Sequence, residues 1–269
     1  MSYPLFLILK ILASTTFALS MYPQTLVGRL SLGHAGTLML GSYIFALTRS
    51  PLLTALVLGV LGAVVSFCGN NLSPSQFSAL NLALGEAVRI SSSNCKAVGG
   101  ASGLTLSYRP VWLVPILFAA TLGFCLSLSK SKTALVFKAT RDDSLAMGVL
   151  GFKTPIVKAV AHSMSFVLCA FSAVGYSSLT GFISPADFVL MRSYEALCVA
   201  VLGGGVWGIT LFSLALEIFS ALTQSFSSAK MLLYGVLLIL VSVKGWENVK
   251  SSKPFKVLRQ HRGSQKRVV

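Results

Sequence analysis

The sequence predicts an all-α, polytopic membrane protein with about eight or nine transmembrane or re-entrant helices. Hydrophobic residues fill 54% of the 269 positions, charged residues only 11%, and the mean hydropathy is +0.79. A soluble domain usually carries about 25% charged residues. Most of the apolar runs are also about 17 to 25 residues long, the length at which a helix crosses a bilayer with its backbone hydrogen bonds satisfied internally.

The apolar segments follow one another closely, and they predict nine crossings with an external N-terminus. Their residue ranges are 5–22, 24–48, 51–69, 76–90, 110–129, 155–180, 188–202, 206–226 and 231–243. Pro23 marks the predicted end of the first span. Glu86 and Arg89 interrupt the fourth, and we expect them to pair because residues three apart share a helical face. The alternative for segments 24–48 and 188–202 is a re-entrant helix.

Basic residues are concentrated in two places. Six of the 22 Lys and Arg lie in residues 130–158, and eight more lie between Lys244 and Arg267. The positive-inside rule places both stretches in the cytoplasm. The second stretch has almost no aromatic residues for stacking on bases, so we expect contact with anionic lipid headgroups and no nucleic acid.

This charge pattern divides the chain into four parts: a first transmembrane half (1–129), a cytoplasmic coupling loop (130–158), a second transmembrane half (159–244) and a basic cytoplasmic tail (245–269). The middle of the loop predicts a short amphipathic helix with Thr140 as N-cap and Asp142 and Asp143 in the first turn. Two interpretations are open. The loop is either a solvated segment with a helical turn or a docking helix for a soluble partner.

Motifs for catalysis and cofactor binding are missing from the sequence. It contains no G-x-x-x-x-G-K-[ST] and no Gly-Lys pair, so we expect no nucleotide site. Three scattered histidines and five scattered cysteines give no metal-binding spacing. We therefore expect no cofactor, no metal and no enzyme.

A glycine-rich break occurs in each half of the chain, at residues 31–36 and 202–208. Paired breaks in apolar segments are typical of a solute pathway near the membrane midplane. We therefore assign Gly33, His34, Gly203 and Gly204 to the pathway wall. The alternative for His34 is a packing histidine bonded to a neighbouring carbonyl, although a buried ionisable group in a membrane segment is a functional candidate.

Several strings, in order, resemble one family, the membrane permeases of branched-chain amino acid ABC importers, of the LivM type. They are LSLGHAG at 30–36, GGASGL at 99–104, ATRDD at 139–143 with LG at 150–151, GFISP at 181–185, SYE at 193–195 and VLGG at 201–204. The order and approximate spacing agree from about residue 24 to about residue 243.

The resemblance implies a bacterial inner-membrane permease subunit that translocates a small solute, such as a branched-chain amino acid. It implies a second permease subunit, two cytoplasmic ATPase subunits and a soluble substrate-binding protein as partners. It also implies that the central loop holds the helix that couples the permease to the ATPases. We assign that role to Arg141, Asp142, Asp143, Ala146, Leu150 and Gly151.

Two other functions stay open at this point. An ion-coupled secondary transporter or channel, for a small polar solute such as urea, would use the intramembrane acids Glu86, Glu195 and Glu217 as coupling sites. A membrane enzyme would pair His34 with Glu86, but no third group is available to orient the pair.

Overall fold

The computed structural model of the chain describes residues 3–222 and Gly235, and it confirms the all-α class. Within these residues, four helical stretches are long and apolar enough to cross a membrane: Tyr3–Val27, Pro51–Cys68, Leu113–Lys130 and Thr154–Thr180. Each of the first eight predicted segments contains a helix. The ninth segment, residues 231–243, and the basic tail at 245–269 lie outside the described residues.

The first part of the chain forms five helices: α1 (Tyr3–Ser20), α2 (Tyr22–Val27), α3 (His34–Thr48), α4 (Pro51–Cys68) and α5 (Pro74–Asn94). Pro23 was predicted to end a span, and it instead lies in the first turn of α2. Proline is tolerated there because the first helical N–H groups have no intrahelical partner. Ser50 and Ser73 each cap the helix that follows with their hydroxyl groups.

The predicted segment 24–48 is a broken helix. Gly28 ends α2 in the left-handed conformation, with φ of 72°, and α3 begins only at His34. With 15 residues, α3 is about 22 Å long, shorter than the roughly 30 Å hydrocarbon layer. We call residues 28–33 the α2–α3 break.

The central loop forms two helices in place of the single one predicted. After α6 (Leu113–Lys130) come α7 (Lys132–Asp142) and α8 (Ser144–Val149). Thr140 is not an N-cap, because it lies inside α7 and its hydroxyl donates to the Val136 carbonyl at 2.8 Å. The cap is Asp143, whose carboxylate accepts from the N–H groups of Leu145 and Ala146, both at 2.9 Å.

The remaining helices are α9 (Thr154–Thr180), α10 (Leu190–Gly203) and α11 (Val206–Leu222). Strands β1 (Leu104–Thr105) and β2 (Phe182–Ile183) pair antiparallel, with Leu104 opposite Ile183. The N–H of Leu106 also donates to the Gly181 carbonyl at 2.9 Å. This short ribbon joins the segment between α5 and α6, which the predicted topology places outside the membrane, to the end of α9, so both lie at one end of the bundle.

We call that end the outer end. The opposite, inner end carries α7, α8, the α2–α3 break and the α4–α5 turn at residues 69–73. The fourth predicted segment, 76–90, forms the body of α5 and connects the two ends. Its Glu86 and Arg89 form the predicted ion pair at 2.8 Å. Residues 3–222 belong to one compact unit, and the four-part division of the chain stays a prediction.

The long helix α9 lies at the centre and contacts α1, α3, α4 and α6. Small residues allow the closest approaches. On α4, Gly59 and Gly62 face Val167, Phe166 and Ser163 of α9, and the Ser163 hydroxyl donates to the Gly59 carbonyl at 2.7 Å. Close packing of this kind is the main source of helix association in lipid.

A close backbone contact joins α3 and α5. A side chain at Gly36 would collide with the backbone of Gly85, and one at Gly85 would lie 3.0 Å from the Gly33 carbonyl oxygen. By contrast, Gly123 inside α6 has open space around it.

We predict that Gly36→Ala lowers the free energy of unfolding by about 1 to 3 kcal/mol, because the added methyl group forces two backbones apart. Gly123→Ala is the matched control, and it should be neutral or stabilise by up to about 1 kcal/mol, since alanine favours helix. Unfolding of the purified protein by sodium dodecyl sulfate in mixed micelles, followed by circular dichroism, measures both. Identical transitions for the two variants would contradict the packing described.

Candidate functional site

The loop helices present an apolar surface at the inner end. Leu145, Val149 and Leu150 are 83%, 89% and 71% exposed, whereas Met147 turns inward and is buried. We call Leu145, Val149 and Leu150 the α8 face. Large apolar side chains exposed outside the membrane spans mark an interaction surface.

The residues assigned to ATPase coupling lie together around this face. Arg141 and Asp142 form an exposed ion pair at 3.3 Å at the end of α7. Gly151, with φ of 87°, ends the turn after α8. All six assigned residues lie in the sequence stretch that holds the end of α7, α8 and the turn after it: Arg141, Asp142, Asp143, Ala146, Leu150 and Gly151.

The side chain of Arg141 connects this stretch to the membrane helices. Its aliphatic part lies against Gly28, where an added Cβ would be only 2.6 Å from the Arg141 Cγ. The end of α7 therefore touches the α2–α3 break directly. The sequence assigned Arg141 to the loop but gave no sign of this contact.

Arg29, the next residue, is a functional candidate that the sequence analysis missed. It is buried, and its Nη2 donates to the carbonyl groups of Gly69, Asn70 and Leu72 at 3.0, 2.9 and 3.2 Å. Its guanidinium also lies over the ring of Phe77, 4.5 Å from the centroid. The three carbonyl groups replace part of the hydration that the buried guanidinium has lost. A lone arginine in an apolar segment was the signal that could have revealed it.

His34 begins α3 and is fully buried. Its Nε2 is 2.7 Å from the Ser20 Oγ, and its ring stacks on Phe17 with centroids 5.3 Å apart. The Ser20 carbonyl accepts from the Ser165 hydroxyl at 2.6 Å. These contacts join α1, α3 and α9 at one point. The partner of the His34 ring is therefore a hydroxyl group, whereas the alternative in the sequence analysis was a neighbouring carbonyl.

The two glycine breaks have different surroundings. Gly33 lies against the backbone of Asn81, whereas the groups nearest Gly203 are its own neighbours Gly208 and Ile209. Gly204 adopts φ of 64° at the end of α10 and has open space around it. The described contacts therefore do not bring Gly203 and Gly204 against Gly33 and His34.

A different part of α10 meets the first break. The Ser193 hydroxyl accepts a hydrogen bond of 2.8 Å from the N–H of Ala35, in the first turn of α3. This bond satisfies one of the N–H groups that a helix start leaves without an intrahelical partner.

Several buried polar atoms have no hydrogen-bond partner within the described part of the chain. They include both amide atoms of Gln24, the Nδ1 of His34 and both ring nitrogens of His162. His162 lies between the rings of Phe77 and Phe166, with centroids at 5.1 and 4.5 Å, and the ring of Phe166 also contacts His34. Buried polar groups in proteins are almost always satisfied, so these atoms favour contact with water or a polar solute.

The intramembrane acids have protein partners. Glu86 pairs with Arg89, and Glu217 accepts from the Ser14 hydroxyl at 2.7 Å. Glu86 therefore bonds to its helix neighbour, and His34 bonds to Ser20. The pairing of His34 with Glu86, on which the enzyme interpretation relied, is not formed.

The comparisons with known proteins agree with the family resemblance. A family model described as "Branched-chain amino acid transport system / permease component" matches residues 77–242, more than half of the chain. No solved structure matches.

Two curated relatives are similar over most of this chain. Both are described as "High-affinity branched-chain amino acid transport system permease protein LivM", one from Salmonella typhimurium strain LT2 and one from Escherichia coli strain K12. They are 25% and 24% identical, over 81% of this chain. The match spans 63% of each relative's own length. The chain belongs to the family of branched-chain amino acid transport system permease components.

Proposed function

We propose that the chain is the transmembrane permease subunit of an ABC importer that carries a branched-chain or other small amino acid across the bacterial inner membrane. A second permease subunit, two cytoplasmic ATPase subunits and a soluble substrate-binding protein complete the transporter. The substrate is inferred from the names of the relatives. The observation that carries the proposal is the α8 face.

The α8 face has the chemistry of a protein docking surface. Leu145, Val149 and Leu150 are exposed beside the charged groups of Arg141, Asp142 and Asp143. An apolar centre with a charged rim is typical of protein interfaces. The rim carries both signs of charge, as protein interfaces commonly do, and the chain belongs to a family of transport permeases, so the ATPase subunit is the occupant that we propose.

The contacts at the inner end supply a route from the docking surface to the pathway. Arg141 touches Gly28, Arg29 joins the same break to the α4–α5 turn, and His34 starts the helix that follows. A displacement of α7 and α8 by the ATPase subunit would therefore act on the α2–α3 break first. ATP binding in the partner would favour one of two arrangements of this break.

Buried polar atoms of His34 and His162 support a pathway through the same region. The Nδ1 of His34 and both ring nitrogens of His162 lack partners within the described residues, and both rings lie against Phe166 of α9. Gly33 and His34 remain our candidates for the pathway wall. Gly203 and Gly204 stay in the proposal as the break that connects α10 to α11.

We predict that Leu145→Asp and Val149→Asp each weaken binding of the ATPase subunit at least tenfold, about 1.4 kcal/mol, because the carboxylate would be desolvated in an apolar contact. Co-purification of the assembled transporter and ATP-driven leucine uptake in proteoliposomes measure the effect. Leu145→Met and Val149→Ile keep the face apolar and should behave like the wild type. ATPase binding that survives both aspartate variants would contradict the docking proposal.

We predict separately that Arg141→Ala lowers the amount of leucine transported per ATP hydrolysed by at least about threefold. The substitution removes the side chain that rests on Gly28 and leaves the α8 face in place. Arg141→Lys keeps an aliphatic stem of similar length and should retain most of the coupling. An alanine variant with normal uptake and normal ATP hydrolysis would show that the contact transmits nothing.

A further inference from the structure

A cleft at the outer end combines opposite charges with an apolar wall. Its volume is about 740 Å³, within the range of small-molecule sites. The residues that matter are Arg109, Asp187, Phe6, Tyr176, Leu179 and Phe182. None of them belongs to the coupling stretch or to the glycine breaks.

The position of Arg109 is determined by the end of α9. Its Nη2 donates to the Leu179 carbonyl at 3.0 Å, and its guanidinium fills the space where a side chain at Gly181 would lie. Gly181 has φ of 65° and ends α9, so the chain turns there and leaves that space open. Within residues 3–222, the other guanidinium N–H groups have no protein acceptor and are available to a ligand.

Asp187 lies on the same cleft, in the 3₁₀ turn Pro185–Asp187. Its carboxylate forms no ion pair within residues 3–222. The nearby cation Arg192 is otherwise engaged, since its guanidinium lies 4.3 Å from the centroid of the Tyr176 ring and its Nη1 donates to the Asp187 carbonyl oxygen at 3.4 Å. Arg109 and Asp187 therefore line one cleft without pairing with each other.

The β1–β2 ribbon fixes these two charges relative to each other. It joins residues 104–106 to residues 181–183, and Arg109 and Asp187 follow shortly after its two strands. A ligand would thus meet charges that are already positioned, which reduces the entropy that binding costs. The lining of the cleft also supplies apolar contact surface, from four side chains: Phe6, Tyr176, Leu179 and Phe182.

From this arrangement we infer that the outer cleft is a binding site for a zwitterionic amino acid with an apolar side chain. Arg109 binds the α-carboxylate through its planar pair of N–H groups, Asp187 binds the α-ammonium, and the side chain contacts the apolar wall. The inference rests on the proposed function, because it identifies where the permease would first hold the transported amino acid.

Three ligands test the assignment on the full chain in lipid nanodiscs without nucleotide. They are L-leucine, L-leucinamide, which lacks the carboxylate, and 4-methylpentanoate, which lacks the ammonium group. Ligand-observed NMR titration gives each dissociation constant. The wild type should bind L-leucine about tenfold more tightly than either analogue, since a hydrogen-bonded ion pair is lost in each case.

Each variant should lose affinity only for the ligands that carry the charged group bound by the substituted residue. Arg109→Gln should weaken L-leucine and 4-methylpentanoate about tenfold and leave L-leucinamide unchanged. Asp187→Asn should weaken L-leucine and L-leucinamide and leave 4-methylpentanoate unchanged. Arg49→Gln changes an exposed arginine outside the cleft and should alter none of the three constants.

Arg109→Gln also removes the hydrogen bond to the Leu179 carbonyl, which affects stability as well as binding. Arg109→Lys is therefore measured as a second variant. It keeps the positive charge and should retain most of the affinity. A wild type that binds the three ligands equally or not at all, or variants that change all three equally, would overturn the assignment. ATP-driven leucine uptake by the assembled transporter separates the two proposals. Normal uptake without the ligand pattern refutes only the cleft, and the pattern without ATP-driven uptake refutes only the proposed function.

Discussion

The fold depends on how a broken helix satisfies its polar groups in an apolar environment. The α2–α3 break leaves backbone donors and acceptors without helical partners, and in lipid each one left unsatisfied costs several kcal/mol, on the order of 2 to 7. Arg29 satisfies backbone acceptors at the adjacent α4–α5 turn, where its Nη2 donates to three carbonyl groups that follow the end of α4. A positive charge at that position also opposes the negative end of the α4 dipole. One side chain therefore allows two irregular segments to lie side by side.

This arrangement allows a movement of the loop helices at the inner end to reach the membrane helices through the α2–α3 break. Gly28 gives the chain its left-handed turn and offers no side chain, so Arg141 can lie directly on the backbone. Close approach between Gly33, Gly36 and Gly85 then holds α3 against α5. The break is thus in contact with the loop helices on one side and with the body of the bundle on the other.

Much of the helical framework could be predicted from the sequence, because long apolar runs leave few alternatives in a membrane. The spans around α4, α6 and α9, the Glu86–Arg89 pair and the amphipathic loop all follow from run length and spacing. The features that were missed depend on tertiary contacts. Asp143 competes with Thr140 as a cap, and only the end of α7 decides between them. The β1–β2 ribbon has two residues in each strand and therefore no periodicity to detect.

The bond between Ala35 and Ser193 has a consequence for how the helices can slide. It satisfies an N–H of α3 with a hydroxyl that belongs to α10, deep inside the protein. If these helices separate, that N–H loses its acceptor in a region from which lipid cannot replace it. Water must enter at the same moment, or the movement is opposed by the cost of an unsatisfied donor. Entry of water into the protein interior and relative motion of α3 and α10 must therefore occur together.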